Sequence, residues 1–496
     1  MITFHVEQFG CRATQADGAA IERQLRERGC FAAADTASAD FVVLNTCTVT
    51  AAADAQARDA IRKIHAANPR VRIIVTGCYA QRAPEEIAGL PGVTFVVGNS
   101  HKPEIPGLLR SISSASSGPF FPQMENSAAD RAAPILSGDI FALSDVLVAP
   151  VLGGEGNRTR PTLKIQDGCN SRCSFCVIPF VRGKSRSLPT TTVLTEIQRL
   201  ADSGFREIVL SGINLGTYGR DLSPRVEFPE LLHRILEETT VERLRISSIE
   251  PLDVTQDLID LFASSDRIAP HFHMPLQSGC NRILAAMHRW YRAEHYARRV
   301  ELIRDRLPHA AIGADVIAGF PGETEAEHSV TLRFIEERPF TYLHVFSYSA
   351  RPGTRAASFA GHVPGAVINR RARELRALGE AKAAEFRQSQ IGQTLRVLTL
   401  HRDAKDAPSQ TPALSGNYLS VIIPEGLPHN RWLTVSVAQG NGKNLIALPV
   451  ERDLVSFQDI SANTKASEAG LIPTMVTSEI LPGQVGTAPA RAAGSA

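Results

Sequence analysis

Three cysteines stand together in Gly168-Cys169-Asn-Ser-Arg-Cys173-Ser-Phe-Cys176, a C-x3-C-x2-C run. Three thiolates on one short loop can ligate three irons of a [4Fe-4S] cluster and leave the fourth iron open to a substrate or cofactor. Structural zinc takes four ligands, and no fourth Cys or His lies near this run. On spacing alone the alternatives are a zinc loop that borrows a distant ligand, or three unrelated thiols. Cys11, Cys47 and Cys78 form a second set, in FGCRATQ, LNTCTVT and VTGCYAQ. Each falls at or just after the end of an apolar run that reads as a parallel strand. Matching ends of parallel strands share one edge of a sheet, so the three thiols could converge on a second cluster; each taken singly is also what a buried free cysteine looks like. Cys30 and Cys280 fit neither pattern and read as ordinary thiols.

The elements that must hold these residues follow from periodicity. In residues 1–110, ITFHVE, DFVVLNT and VRIIVTG read as buried strands separated by helical spacing, which predicts an N-terminal three-layer α/β domain. Residues 111–159, rich in Ser, Ala and Pro at first and closed by GGEGNRTRP, read as a linker; within it DIFALSDVLVAPVL is either a strand or a docked segment. Residues 160–388 repeat strand then helix six times, with TLKIQ, EIVLSG, LRISSI, HFHMPLQ, IGADVIAGF and YLHVFSYS as strands, which predicts an incomplete (β/α)6 barrel and a long helix leading out. The C-x3-C-x2-C run directly follows the first of these strands, at the end of a barrel where chemistry is expected. Residues 389–451 alternate as short strands and predict a small β-barrel; 452–496 reads as a disordered tail. The fold class is α/β.

The charge balance, 53 basic against 51 acidic side chains, excludes a histone-like polycation but not RNA binding, which needs only a local basic surface. No apolar stretch is long enough for a membrane helix and no secretory signal stands at the N-terminus, so the expected location is the cytoplasm, with no membrane partner.

With these elements in place, the chain resembles the radical S-adenosylmethionine methylthiotransferase family. The likeness rests on FGCRATQ, NTCTVT, TGCYAQ, KIQDGCNSRCSFCVIPFVRGKSRS, LSGINLGTYG, SSIEP, HFHMPLQSGCNRILAAMHRWY, GADVIAGFPGETE and FSYSARPGTRA, and spans about 1–110 and 160–451. It implies two [4Fe-4S] clusters and S-adenosylmethionine: a radical cluster on Cys169, Cys173 and Cys176, an auxiliary one on Cys11, Cys47 and Cys78, and a C-terminal TRAM-like barrel that binds RNA. It further implies that one S-adenosylmethionine methylates a sulfur held at the auxiliary cluster, while a second gives a deoxyadenosyl radical that attacks an aromatic C–H. KIQDGC, NTCTVT, LSGINLGTYG and SSIEP are most similar to the branch acting on threonylcarbamoyladenosine-37 in the anticodon loop of tRNA. The other readings are the isopentenyladenosine-37 branch, the branch acting on a ribosomal-protein aspartate, and a non-catalytic iron–sulfur RNA-binding protein. An electron donor and a sulfur source are implied but not identified. The chain departs from the family at Thr14, where Asn is usual, and in ADGAA, where only Asp17 remains of the usual acidic residues.

The resemblance suggests that Phe175 packs by the cofactor's adenine, though a core aromatic looks the same. Ser211, Gly212, Ser247, Ser248, Gln277 and Ser278 end strands and could contact the cofactor, with Gly212 and Gly279 allowing close backbone approach. Asp315 and Gly319–Thr324 read as a strand-end loop that walls the cofactor pocket, with Thr324 capping a helix that has Glu325 in its first turn. His271 and His273 share a strand face and read as satisfied barrel histidines. Arg182, Lys184 and Arg186, two apart, could share a strand face toward phosphates. The 389–451 segment has only a slight basic excess (Arg396, Arg402, Lys405, Arg431 and Lys443 against Asp403, Asp406 and Glu425). No catalytic residue is singled out.

Overall fold

Six apolar runs become the N-terminal sheet: β1 (Thr3–Gln8), β2 (Phe31–Ala32), β3 (Phe41–Thr46), β4 (Arg72–Gly77), β5 (Val93–Val97) and β6 (Ile135–Leu136). Their order is β2-β1-β3-β4-β5-β6 and every neighbouring pair is parallel. Side chains alternate between the two faces of a strand. Val42 and Leu44 therefore pack with Ile61 and Ile64 of the helix Ala51–Ala67, while Phe41 and Val43 pack with Ile21 and Leu25 of the helix Arg12–Glu27. A helix layer covers each face, as the alternating runs predicted. The computed structural model describes residues 2–108, 132–143, 146–147, 150–151, 159–402 and 407–450; the tail and much of the 111–159 segment lie outside the described residues.

Parts of the expected linker are secondary structure. Ile135–Leu136 extends the N-terminal sheet, and β7 (Pro150–Val151) pairs antiparallel with the first strand of the barrel. Of the apolar segment, the described residues form the turn Ile140–Ala142, with Ile140 buried, towards one end and the strand Pro150–Val151 towards the other. Two-residue strands carry too little pattern to be read from sequence.

The barrel strands are β8 (Thr162–Lys164), then the short pair β9 (Gln166–Asp167) and β10 (Arg186–Ser187), then β11 (Glu207–Ser211), β12 (Arg243–Ile246), β13 (His271–Gln277), β14 (Ala311–Ala318) and β15 (Tyr342–Ser347). Parallel ladders join β8, β11 and β12, and join β13, β14 and β15. The halves meet where Leu244 bridges Ile268 and the Ile249 N–H donates to His273 O at 3.0 Å. One face of each strand (Leu163, Ile208, Leu244, Phe272, Ile312, Val316) packs against the surrounding helices. By alternation the other face turns inward with Lys164, Glu207, Arg243, Arg245, His271, His273, Asp315, Tyr342 and His344. The lumen is therefore polar and ionic.

The helix Gly365–Gln388 leads to a closed barrel of β16 (Thr394–Thr399), β17 (Thr411–Ser415), β18 (Ser420–Ile423), β19 (Trp432–Asn441) and β20 (Asn444–Pro449), in the order β16-β17-β18-β20-β19. The strand β17, TPALS, is not evident from the sequence because Pro412 and its small neighbours mask the alternation. Arg245 fastens this barrel to the first, donating to Gly416 O at 2.9 Å and Ser415 O at 3.0 Å. Among the described residues no helix is long and apolar enough to cross a membrane.

Candidate functional site

Three strand ends deliver the first cysteine set. Cys11 follows β1 and caps the helix Arg12–Glu27, Cys47 follows β3, and Cys78 starts the short helix Cys78–Arg82 directly after β4. Gly10, at φ +105°, lies so close to Cys47 that an added Cβ would sit 2.4 Å from its Cβ and 2.9 Å from its Sγ. The FGC and NTC loops thus press on each other, which requires glycine at position 10. Burial pushes the Cys47 thiol up to about 12, with further upward pressure from Cys78 and Cys11 beside it. The three sulfurs share one neighbourhood, and a metal must displace protons to bind there.

The second set lies on the loop after β9. The Ser171 N–H donates to Cys169 Sγ at 3.3 Å and Arg289 Nη1 donates to Cys173 Sγ at 3.2 Å. Burial, then Cys173, pushes Cys176 up to about 12. Ser174 pins the loop, its hydroxyl donating to Ala286 O at 2.8 Å and its N–H to Met287 O at 3.0 Å. Glu250, in SSIEP, ion-pairs with Arg289 and aims it.

The two sets pack on one another. Cys78 shares an apolar cluster with Val177 and Val181, and Val177 is the residue after Cys176. Asn99 spans the seam, its Nδ2 donating to Val181 O at 2.7 Å and lying 3.6 Å from Cys78 Sγ. Neither trio gathers its sulfurs within 4.8 Å of one another, whereas zinc at about 2.3 Å from each thiolate would draw them to about 3.8 Å. Three thiolates per site at this wider spacing suit a polynuclear iron–sulfur core with an open iron.

Behind both sets lies a charged core. Lys102 and Lys164 each ion-pair with Asp17, and Lys164 also meets Asp167 Oδ2 at 2.8 Å. Arg182 reaches Asp17 at 3.1 Å and Asp167 at 2.9 Å, all at most 9 % exposed. Burial opposes charge on Asp17, yet Lys102, Lys164 and Arg182 hold its carboxyl well below the usual range. Asp17, the one acidic residue left after the first cysteine motif, thereby joins the N-terminal domain to the barrel. The expectation for Arg182 and Arg186 is corrected: both are buried, Arg182 ends the helix Ile178–Arg182, and Arg186 Nη1 donates to Arg182 O. Desolvation is tolerated because the carboxylates are there. Of the three basic residues, only Lys184 is exposed.

The expected cofactor contacts divide. Ser211 ends β11, and Gly212 packs so tightly that a Cβ would meet Leu215 and Gln166. Ser248 is half-buried beside Ser247, whose buried hydroxyl has no hydrogen-bond partner among the described residues. Gln277 takes φ +63° at a register shift between β13 and β14, and its amide makes no hydrogen bond among the described residues. Ser278 turns away: its hydroxyl is engaged by Thr331 Oγ1 and the Cys280 N–H. Phe175 packs with Ile283, Met287, Ile317 and Phe320. The orphaned Ser247 hydroxyl and the unengaged Gln277 amide, beside the Cys169–Cys176 loop's barrel end, are donors and acceptors suited to a polar cofactor.

Asp315 is corrected from a strand-end loop to the middle of β14, where His273 Nε2 stands 2.9 Å and His344 Nδ1 3.4 Å from its Oδ1. Their ligand atoms lie within 4.8 Å, but His273 is already engaged on both nitrogens, by Asp315 and Tyr342. Thr324 caps the helix Glu325–Glu336 in a capping box with Glu327. Cys30 is buried in the N-terminal core and Cys280 half-buried beside Glu327. Sequence reasoning missed the roles of Lys102, Lys164, Asp167, Glu250, Arg289, Tyr342 and His344. The motifs SSIEP and MHRWY carry two of them, but which charge faces which sulfur is tertiary information.

Comparison with known proteins agrees with this geometry. Residues 3–98 match the model of the uncharacterized protein family UPF0004, and residues 163–335 match the radical SAM superfamily. The chain is 37 % identical over 398 residues to a threonylcarbamoyladenosine tRNA methylthiotransferase MtaB of Aquifex aeolicus, covering 80 % of this chain and 92 % of that one. It is 38 % identical to the protein of that name from Bacillus subtilis, over 80 % and 84 % of the two chains. A tRNA-2-methylthio-N(6)-dimethylallyladenosine synthase of Paenarthrobacter aurescens is 34 % identical, over 91 % and 86 %. Among solved structures, the radical S-adenosylmethionine methyltransferase TsrM of Kitasatospora setae, with cobalamin and a [4Fe-4S] cluster bound, shares the fold at a TM-score of 0.53 and 16 % identity, over 72 % of this chain and 77 % of that one. The chain belongs to the radical S-adenosylmethionine methylthiotransferase family.

Proposed function

We propose that the protein is a tRNA methylthiotransferase that converts N6-threonylcarbamoyladenosine at position 37 of the anticodon loop to its 2-methylthio derivative, in the cytoplasm. The observation that carries the reading is the packing of the two cysteine loops through Cys78, Val177 and Val181. Cys169, Cys173 and Cys176 would hold the radical-generating [4Fe-4S] cluster, and Cys11, Cys47 and Cys78 a second one. When bound, these groups and S-adenosylmethionine supply a carbon-centred radical and the sulfur to be transferred. The protein's part is orientation and exclusion of water. Arg289, aimed by Glu250, donates to Cys173 Sγ and offsets charge gathered on its sulfur. Ser211, Gly212, Ser248 and Gln277 would orient the cofactor; Phe175 and its apolar neighbours keep water from the loop. Ser278 contributes only to the turn.

Relatives named for threonylcarbamoyladenosine are 37 %, 38 % and 34 % identical to this chain, against 33–35 % for relatives named for dimethylallyladenosine. The polar lumen also suits the threonylcarbamoyl base better than an isopentenyl one. Anaerobically reconstituted protein is expected to carry about eight irons and, once reduced, to release 5′-deoxyadenosine from S-adenosylmethionine. Nucleoside mass spectrometry of tRNA from a strain lacking the gene should show loss of 2-methylthio-threonylcarbamoyladenosine. About four irons, or unchanged methylthio nucleosides, would overturn the reading.

A further inference from the structure

Arg182 belongs to the radical-cluster loop but acts on the other cysteine set. It ends the helix Ile178–Arg182, which starts two residues after Cys176, and the carbonyl of the next residue, Gly183, accepts the Cys169 N–H at 3.1 Å. The terminal N–H groups of its guanidinium are all engaged. Nη1 donates to Asp167 Oδ1 at 2.9 Å and Oδ2 at 3.0 Å, while Nη2 donates to Asp17 Oδ2 at 3.1 Å and Thr14 Oγ1 at 3.4 Å. Thr14 Oγ1 in turn stands 3.5 Å from Cys11 Sγ.

The protons on these groups set a direction. A guanidinium only donates, so the Thr14 oxygen accepts from Arg182 and its own hydrogen is left for the sulfur. A metal-bound Cys11 is a thiolate and can only accept it. The charge behind the hydroxyl polarises it and strengthens the bond it makes. Thr14 is fully buried, and Asn45 of the NTC loop holds its carbonyl, with Nδ2 donating at 2.6 Å. It is also the position at which this chain departs from the Asn usual in its family.

A second donor repeats the arrangement. Asn99, also buried, donates through Nδ2 to Val181 O at 2.7 Å, and the same nitrogen lies 3.6 Å from Cys78 Sγ. An amide nitrogen carries two hydrogens, so one serves the helix and the other the sulfur. Cys11 and Cys78 therefore each take a hydrogen bond from a residue anchored on the helix Ile178–Arg182.

We propose that Thr14 and Asn99 are positioning residues for the auxiliary cluster: they carry hydrogen bonds from the helix Ile178–Arg182 to the sulfurs of Cys11 and Cys78 and so raise that cluster's reduction potential. Hydrogen bonds to the ligating sulfurs disperse negative charge, which favours the reduced state. The assignment rests on the two-cluster reading above. Arg289 does for Cys173 directly what Arg182 does for Cys11 through Thr14.

The test is a redox titration of the two-cluster holoenzyme followed by electron paramagnetic resonance. A companion variant carrying Cys169→Ala, Cys173→Ala and Cys176→Ala assigns the signal of the auxiliary cluster. Thr14→Val, which keeps the shape and removes the hydroxyl, should weaken reduction of that cluster about tenfold, or about 60 mV for one electron. Asn99→Leu should shift it in the same direction. Thr14→Ser keeps the hydroxyl and should titrate as wild type, and the radical-cluster signal should stay in place throughout. An unshifted auxiliary potential in Thr14→Val or Asn99→Leu overturns the proposal. So does Thr14→Ser that shifts as far as Thr14→Val, or a shift of both clusters together. If one of the two variants loses iron the other decides, and loss from both overturns it, because the residues would then hold the cluster rather than tune it. Wild type holding only about four irons refutes the two-cluster reading instead.

Discussion

At the scale of single residues, position 10 is a tight constraint on the first cysteine set. Gly10 combines φ +105° with a space in which a Cβ would collide with Cys47. Gly10→Ala is expected to destabilise the loop by about 1–3 kcal/mol and displace Cys47; iron analysis should fall to about half while the other loop still supports deoxyadenosine release. Arg289 offers a contrasting case. Its N–H···Sγ bond to Cys173 stabilises negative charge on that sulfur. Arg289→Gln should lower the potential of the radical cluster by about 60–130 mV, the equivalent of one charge-assisted hydrogen bond in a one-electron couple, read by redox titration with electron paramagnetic resonance. The cysteines were legible because their spacing is local: three sit within eight residues, and three mark strand ends. Arg289 and Asp17 were not, since their partners lie 116 and 147 residues away, at Cys173 and Lys164.

Most long apolar runs were legible as elements, although the five-residue strands Val93–Val97 and Thr411–Ser415 were not. DFVVLNT and HFHMPLQ announce buried strands, and alternation alone puts His271 and His273 of the second on one face. What alternation cannot say is what stands opposite: Tyr342 sits on β15, and only the register of β13, β14 and β15 brings it to both histidines. The same logic governs β11 and β12, where Glu207 accepts from Arg245 at 2.8 Å and also pairs with Arg243. Burial opposes the Glu207 charge, but Arg245, Arg243 and Arg160 hold its carboxyl far below the free value. A depressed folded value means stability that is present above the unfolded value of about 4.3 and lost as pH falls. Glu207→Gln should therefore cost about 3–5 kcal/mol at neutral pH, since it leaves buried guanidinium groups unpaired. The gap between wild type and variant in thermal melts should narrow as pH drops below about 4.

At the scale of the whole molecule, the barrel lumen is walled by pieces far apart in the chain. The N-terminal domain closes one side through Asp17, which meets Arg182 and Lys164. Beside the Cys47 loop it also offers Thr48 and Asp54 to Arg351, whose Nη2 reaches Thr48 Oγ1 at 2.9 Å. The C-terminal barrel closes the base through the carbonyls of Ser415 and Gly416 on Arg245 and through Trp432. That indole stacks under Arg243 at 4.2 Å and Arg396 at 4.4 Å while its Nε1–H donates to Glu242. Slight net basicity in 389–451 said nothing of this: the arginines that matter most belong to the other barrel, and the module supplies carbonyls and aromatic faces. Such docking ties the C-terminal barrel to the shape of the lumen floor, because Tyr418 rests on His271. Trp432→Ala should remove a cation–π pair and a hydrogen bond to a carboxylate, weakening the joint by about 2 kcal/mol. Amide exchange should then quicken in β12 and β19 while iron content stays at the wild-type level. Loss of iron instead would mean that the two barrels fold as one cooperative unit, with the cysteine loops dependent on a contact at the opposite end of the strands.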